Sequence, residues 1–502
     1  MGSQPTEPFE PVDVVVVGAG NAAACAALAA REQGASVLMV EAAPPSQSGG
    51  NTRYTAGAMR VVFNGVDDLV QLMPDLTEDE RTNVSFGTYS APAVLRRHGP
   101  RHPVPGRPRP RRPPGPQQLP HHGLDAAQGI RFQPSYGRQA FKVDGRFTFW
   151  GGLAVEAWGG GEGLVELEHK ACARDGITLV YEAAAQSLVT DEHGAVVGIK
   201  VRHGGRVHQI DCKAVVLAAG GFQANAEWRA RYLGVNWDLA KVRGTKYNTG
   251  AGIRMALDIG AMPFGHWSGS HAVGWDLNAP PFGDLAVGDG FQKHSYPLGI
   301  MVNARGERFV DEGADFRNYT YAKYGAVILN QPDMFAWQIF DAKVVDLLRD
   351  EYRIREVTKV KADTLEELVT KLEGVDPQRC LETIHAFNAA VQEDVTFNPA
   401  VKDGRGTPGI PFPKTNWANK LDTPPYEAYA VTCGITFTFG GLKVTNDCEV
   451  TDTAEQPIAG LYACGELVGG LFYHNYPGGT GLVAGSVFGK IAGTSAGKQV
   501  TA

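Results

Sequence analysis

The chain has 502 residues, with 47 basic and 54 acidic side chains, a formal net charge of −7 and a pI near 6.0. That length implies two domains with an interior able to enclose a sizeable ligand, and the acidic balance argues against a nucleic-acid partner, which needs a basic field. The seven cysteines (Cys25, Cys172, Cys212, Cys380, Cys433, Cys448 and Cys464) form no C-x-x-C pair, so no zinc, iron–sulfur cluster or disulfide framework is expected.

Residues 1–12 are polar and carry prolines, and no apolar run reaches the span of a bilayer, so the expectation is a soluble cytoplasmic protein without signal or membrane helix. Val12 to Val17 is a β-branched run typical of a buried parallel strand. A glycine turn follows, then an alanine-rich helix from Ala22 to about Gln33 and a second strand from Ser36 to Val40, a βαβ start. The alternation over 178–202, with Asp191-Glu192-His193-Gly194 at its centre, predicts a β-hairpin. Ala214 to Ala218 predicts another buried strand, running into Ala219-Gly220-Gly221. From about 230 to 425 the texture changes to helical periodicity at 363–374 and 377–394 among aromatic, glycine and proline loops. The first texture returns at Leu461 to Glu466 and leads into a last helix.

One segment breaks this order. Pro92 to Pro120 holds ten prolines and seven arginines, and no acidic residue occurs from Arg81 to Leu124. Such proline density excludes helix and central strand. Two readings of residues 91–125 stand: a basic loop without fixed structure, or a compensated frameshift in a GC-rich gene that has scrambled two helices. Reading the DNA separates them.

Gly18-Ala19-Gly20-Asn21-Ala22-Ala23 matches the G-x-G-x-x-G/A fingerprint, after a strand and at the start of a helix. Gly18 permits the tight turn, Gly20 lets the backbone approach a pyrophosphate, and Ala23 keeps helix and strand close. The helix start offers unpaired N–H groups and partial positive charge to phosphates. Glu41, 23 residues after Gly18, is placed for ribose hydroxyls. Ser48-Gly49-Gly50-Asn51-Thr52-Arg53 and the late Gly465-Glu466 supply what a simple NAD domain lacks, so FAD is the expected cofactor.

On these residues the chain resembles the flavoprotein subunits of the fumarate reductase and succinate dehydrogenase superfamily, and within it tricarballylate dehydrogenases. The stretches that carry the likeness are Gly49 to Met59, Ile130 to Phe141, Arg308 to Gly325 and Gly465 to Leu482. The fold so implied is α/β, a Rossmann-type FAD-binding domain split in sequence (1–229 and 429–502) around an inserted α+β capping domain (230–428). The resemblance implies FAD contacts at Gly18, Gly20, Asn21, Ala22, Ala23, Glu41, Gly49, Gly50, Asn51, Thr52, Gly57, Ala185, Ala219, Gly220, Gly465, Glu466, Gly481 and Leu482. No histidine lies between Glu41 and Arg60, where covalent members attach FAD, so non-covalent FAD is implied.

By the same likeness Arg317 moves a proton to or from substrate or binds its carboxylate, and His271 corresponds to a substrate-binding histidine. Arg53 and Thr438 are candidate substrate contacts. Three departures stand out. Phe437 precedes Thr438-Phe439-Gly440-Gly441 where fumarate reductases have histidine, Tyr476 replaces a carboxylate-binding arginine, and Gln292 and Ser295 replace the groups of a proton relay. Tyr476 and His474 are therefore candidate acid/base or orienting groups. The resemblance implies oxidation of a CH–CH bond to C=C in a small organic acid, tricarballylate to cis-aconitate, with electrons leaving to an external acceptor such as a membrane-bound partner protein. A ketosteroid-type or other ring-ketone dehydrogenase and a flavin-binding protein without turnover remain alternatives.

Overall fold

Val14, Val15 and Val16 have no solvent exposure, and their strand β1 (Val12–Val17) lies in the middle of an eight-stranded sheet. The computed structural model describes residues 9–90 and 129–502; the frameshift and basic-loop readings of 91–125 lie outside the described residues. On one side β1 pairs in parallel with β2 (Val37–Val40), and on the other with the second half of a long strand 206–217, in the register Val14↔Val37 and Val16↔Val216. Helix α1 (Asn21–Glu32) joins β1 to β2. Its Gly20 N-cap is extended and its own residue supplies no side-chain cap; the Asn21 amide donates to Thr52 Oγ1 at 3.2 Å, and the amides after it face the ligand end of the helix.

After helix α2 (Gly160–Arg174) the sheet grows by β3 (Thr178–Val180), which pairs in parallel with β2. The expected hairpin is therefore shorter than its sequence pattern: β4 (Ala184–Thr190) and β5 (Val196–His203) form it, and residues 178–180 belong to a different strand. β5 then pairs antiparallel with β6 (Arg206–Leu217), whose far end lies against β1. Alternation alone cannot distinguish a hairpin arm from a neighbouring parallel strand.

A second, six-stranded sheet is built from β7 (Lys241–Val242), β8 (Pro263–Asp276), β9 (Ile300–Val302), β10 (Ala336–Phe340), β11 (Lys359–Ala362) and the long β12 (Tyr426–Leu442). β10 and β11 pair with the first part of β12, and β8 pairs antiparallel with it from Asp276↔Val431 to Pro263↔Leu442. The expected junction at residue 428 falls inside β12. The helices expected near 363–374 and 377–394 span Leu365–Lys371 and Pro377–Ala390. They cover one face of this sheet, with Leu368, Ile384 and Phe387 packed on Ile300 and Ala428.

The chain returns to the first sheet through β13 (Glu449–Thr451) and β14 (Pro457–Ala463), the latter parallel to β6. It ends in helix α3 (Thr480–Thr501), laid against α1 through Gly485, Gly489, Gly493 and Gly497. No helix among the described residues is long and apolar enough to cross a membrane.

Candidate active site

Gly18 has φ +115°, and a Cβ there would stand 2.5 Å from the carbonyl oxygen of Ala218. The β1–α1 turn is thus pressed onto the end of β6, and only glycine fits. This turn is the floor of a cleft of about 430 Å³ that runs from the end of the parallel sheet to the six-stranded sheet. Its walls at the first end are Gly18, Gly20, Asn21, Ala22, Glu41, Gly50, Asn51, Thr52, Ala185, Ala219, Gly220, Gly465, Glu466, Gly481 and Leu482. Ala23, Gly49 and Gly57 stand one layer behind: a Cβ at Gly49 would meet Val165 at 2.7 Å, and one at Gly57 would meet the backbone of Gly160 at 2.7 Å. These glycines let supporting chains close on the wall.

The polar wall atoms are held from behind. Asn21 donates to the carbonyl of Leu482 at 2.8 Å and accepts from Ser486 at 3.0 Å, locking α1 to α3. Asn51 donates to the carbonyl of Thr436 at 2.7 Å and accepts from the Thr245 amide at 2.9 Å, tying the glycine-rich loop to β12. Burial raises the Glu41 carboxyl above its ordinary range, opposed by an amide bond from Ala43 at 2.8 Å. Burial pushes Glu466 up to about 7 although Thr438 N and Gln223 donate to it at 2.9 and 3.2 Å. A helix start, a turn only glycine can make and a buried acid beside it fit the pyrophosphate and ribose of a dinucleotide.

At its other end the cleft is lined by Arg317, His271, His294, Tyr321, Phe437 and Tyr476, with Arg138, Arg243, Asp289 and Gln292. Asp289 is nearly enclosed and fully engaged. It accepts from Arg138 at 2.9 Å, from Arg243 at 2.7 and 2.8 Å, and from Gln292 at 2.5 Å. Arg243 also donates to Thr436 at 3.2 Å. Arg317 donates to the carbonyl of Arg138 at 2.5 Å and shares a 3.2 Å bond with His294 Nδ1, while its buried Nε has no partner. Burial lowers the Arg317 pKa, with Glu351 opposing and Arg138 adding to the shift.

His271 stacks on Tyr476 with ring centres 4.4 Å apart and meets the edge of Tyr321 at 4.9 Å; neither of its nitrogens has a partner. Burial, with Arg243 beside it, holds His271 well below its ordinary pKa, so the ring is neutral. The Tyr476 hydroxyl accepts the Gly481 amide at 2.8 Å, and burial pushes its pKa up to about 12. At neutral pH the phenol is protonated.

Three expected residues lie elsewhere. His474 is exposed in a left-handed turn (φ +61°), its amide donating to His266 Nδ1 at 3.2 Å, and it does not line the cleft. Arg53 is paired with Glu162 at 2.9 Å outside the lining. Thr438 is fully buried and serves Glu466 and the Phe222 amide instead. Gln292 and Ser295, expected as relay replacements, bond to Asp289 and the Arg349 amide. Sequence reasoning missed Arg138, Arg243, Asp289, His294 and Tyr321. Arg138 lies inside the Ile130–Phe141 stretch and Tyr321 inside Arg308–Gly325, so both were findable there; Arg243, Asp289 and His294 carry no local pattern.

A glycine-turn dinucleotide cleft that opens into a chamber of arginine, imidazole and phenol defines a flavin-linked fold. Residues 13–483 match the family described as FAD binding domain, and the chain belongs to that family. The fumarate reductase (cytochrome) of Shewanella frigidimarina is 27% identical over 507 residues, covering 98% of this chain and 78% of that one. The 4-oxocyclohexanecarboxylate 2-dehydrogenase of Sinomonas cyclohexanicum is 28% identical over 413 residues, 74% of this chain and 69% of that one. The open conformation of a flavocytochrome c3 fumarate reductase superposes with a TM-score of 0.66 at 26% identity, covering 99% of this chain and 79% of that one. The fold is the α/β FAD-binding fold of the fumarate reductase flavoproteins.

Proposed function

We propose that the protein is an FAD-dependent oxidoreductase that interconverts a CH–CH and a C=C bond in a small organic acid, with tricarballylate to cis-aconitate as its specific reaction. One observation carries the reading: the unpartnered Nε of Arg317, both ring nitrogens of His271 and Nε2 of His294 share one cleft with the dinucleotide turn. Bound FAD supplies the two-electron redox chemistry. The start of α1 takes its pyrophosphate and Glu41 its ribose, without a covalent bond, since no histidine lies between Glu41 and Arg60.

Arg317 holds the substrate carboxylate and exchanges the proton of the neighbouring carbon, a role helped by the burial that lowers its pKa. His271 donates to substrate oxygen from a neutral ring, and Tyr476 fixes that ring by stacking. The division into FAD-binding parts 1–229 and 429–502 and a capping part 230–428, a cytoplasmic location, and electron delivery to an external, membrane-bound acceptor belong to the same proposal.

A second reading has its own support. Asp289 engages both Arg138 and Arg243, and Phe437, Tyr321 and Tyr476 offer ring surface, a balance suited to one carboxylate and a ring ketone. The relative named for 4-oxocyclohexanecarboxylate points the same way. Anaerobic mixing of the FAD-loaded protein decides: bleaching of the flavin band by tricarballylate supports the first substrate, bleaching only by a cyclic keto acid or steroid the second. A yellow protein that bleaches with none of them is a flavin binder without turnover. Arg317→Ala is expected to keep its flavin and lose turnover by about 100- to 10,000-fold. Full activity in that variant removes Arg317 from the mechanism.

A further inference from the structure

His294 follows β8 in the chain and is almost completely buried, with its ring edge-on to Tyr321 at 4.8 Å. Its Nδ1 lies 3.2 Å from Arg317 Nη1. A guanidinium has only donors, so Nδ1 must be the accepting nitrogen. Burial together with Arg317, Arg243, His271 and Arg138 keeps the ring neutral. The one ring proton is therefore on Nε2, and Nε2 has no protein partner although the residue lines the cleft. A buried N–H without an acceptor is destabilising, and a ligand oxygen would recover that loss.

We propose that His294 is a substrate-binding residue whose tautomer is fixed by Arg317, so that Nε2–H donates to the oxygen of the carboxylate or ketone beside the carbon whose proton Arg317 exchanges. The inference rests on the function proposed above and adds a requirement: the substrate carries an acceptor oxygen next to the reacting carbon. A donor there also stabilises negative charge that grows on that oxygen as the α-proton leaves. No electron or atom passes through His294; its contribution is one hydrogen bond, strengthened in the reacting state.

Two substitutions separate the ring nitrogens. His294→Asn places an amide near the Nδ1 position, where it still accepts from Arg317, but leaves nothing at Nε2. His294→Gln reaches the Nε2 position with an N–H donor. The probes are cis-aconitate and a cyclohexenone carboxylate, each titrated against the oxidised, FAD-loaded protein and followed by the flavin absorbance. Whichever acid binds the wild type is expected to bind His294→Asn on the order of 10- to 100-fold more weakly. It is expected to bind His294→Gln within about fivefold of the wild type.

Wild-type affinity in His294→Asn, or a loss in His294→Gln alone, shows that His294 only holds Arg317 and overturns the inference. In that case the function proposed above still stands if Arg317→Ala has lost turnover. If neither acid binds the wild type, the inference and that reading fall together. Flavin content in both variants reports that each is folded.

Discussion

Glu466 is partly buried at the cleft wall among Gln223, Asn248 and the Thr438 amide, with burial as the main influence on its pKa. A carboxyl raised from 4.5 to about 7 binds its proton more tightly folded than unfolded. Its contribution to stability is therefore fully present below about 4.5 and is lost as pH rises through about 7. In the FAD-free protein, Glu466→Gln is expected to flatten the fall in melting temperature across that window, by up to about 3 kcal/mol at its upper end. Thermal melts at a series of pH values measure it, and parallel curves for both proteins would show that Glu466 ionises freely. At this scale the sequence was legible where one segment does the work. Gly18, Gly20 and Glu41 announce themselves because turn, helix and strand are contiguous. Arg243, Asp289 and His294 do not, because β7, the loop after β8 and the turn before Tyr296 meet only once the second sheet has formed. Arg53 and His474 are weaker candidates in the sequence, and the fold pairs Arg53 with Glu162 and sets His474 in an exposed turn.

Helices α1 and α3 approach so closely that side chains are excluded from the contact. A Cβ at Gly489 would stand 2.6 Å from the carbonyl of Ala22, and one at Gly493 2.0 Å from that of Ala26. Backbone carbonyls cannot rotate aside, so Gly493→Ala is expected to lower stability by about 2 kcal/mol or more. Thermal denaturation checks it, with the exposed Lys498→Ala as the neutral comparison. The close approach also fixes where the free end of α1 points, so the same variant should bind FAD less tightly. The end of the chain read correctly as a helix, but its four-residue glycine spacing names no partner. β3 taught the converse lesson: its residues carried the right strand pattern but belonged beside β2 rather than in the hairpin.

Across the whole molecule, the dinucleotide cleft collects residues from both sheets, so ligand binding should report on global stability. FAD at about 100 times its dissociation constant is expected to add about 2.7 kcal/mol, seen as a concentration-dependent rise in melting temperature. Asn51→Ala, which cuts the bonds from the glycine-rich loop to Thr436 and Thr245, should raise the FAD dissociation constant by about tenfold. Fluorescence titration measures the change, and an unaltered constant would mean that the loop is held by other contacts. The fold class was legible because strand, turn and helix recur in order. The arrangement of the second sheet was not, since its strands are distant in sequence and most of their pairing is non-local.

β12 imposes a mechanical limit on how the chamber can be entered. One unbroken strand of 17 residues supports β10 and β11 at one end and carries Thr436 and Phe437 into the chamber wall at the other. Ten residue pairs rivet it to β8, which bears His271. Such a girder cannot swing as a door without shearing its own rivets. Traffic into the chamber therefore belongs to the loops around its mouth, and the spacing between His271 and its cross-strand neighbour Phe437 is kept whether the pocket is full or empty.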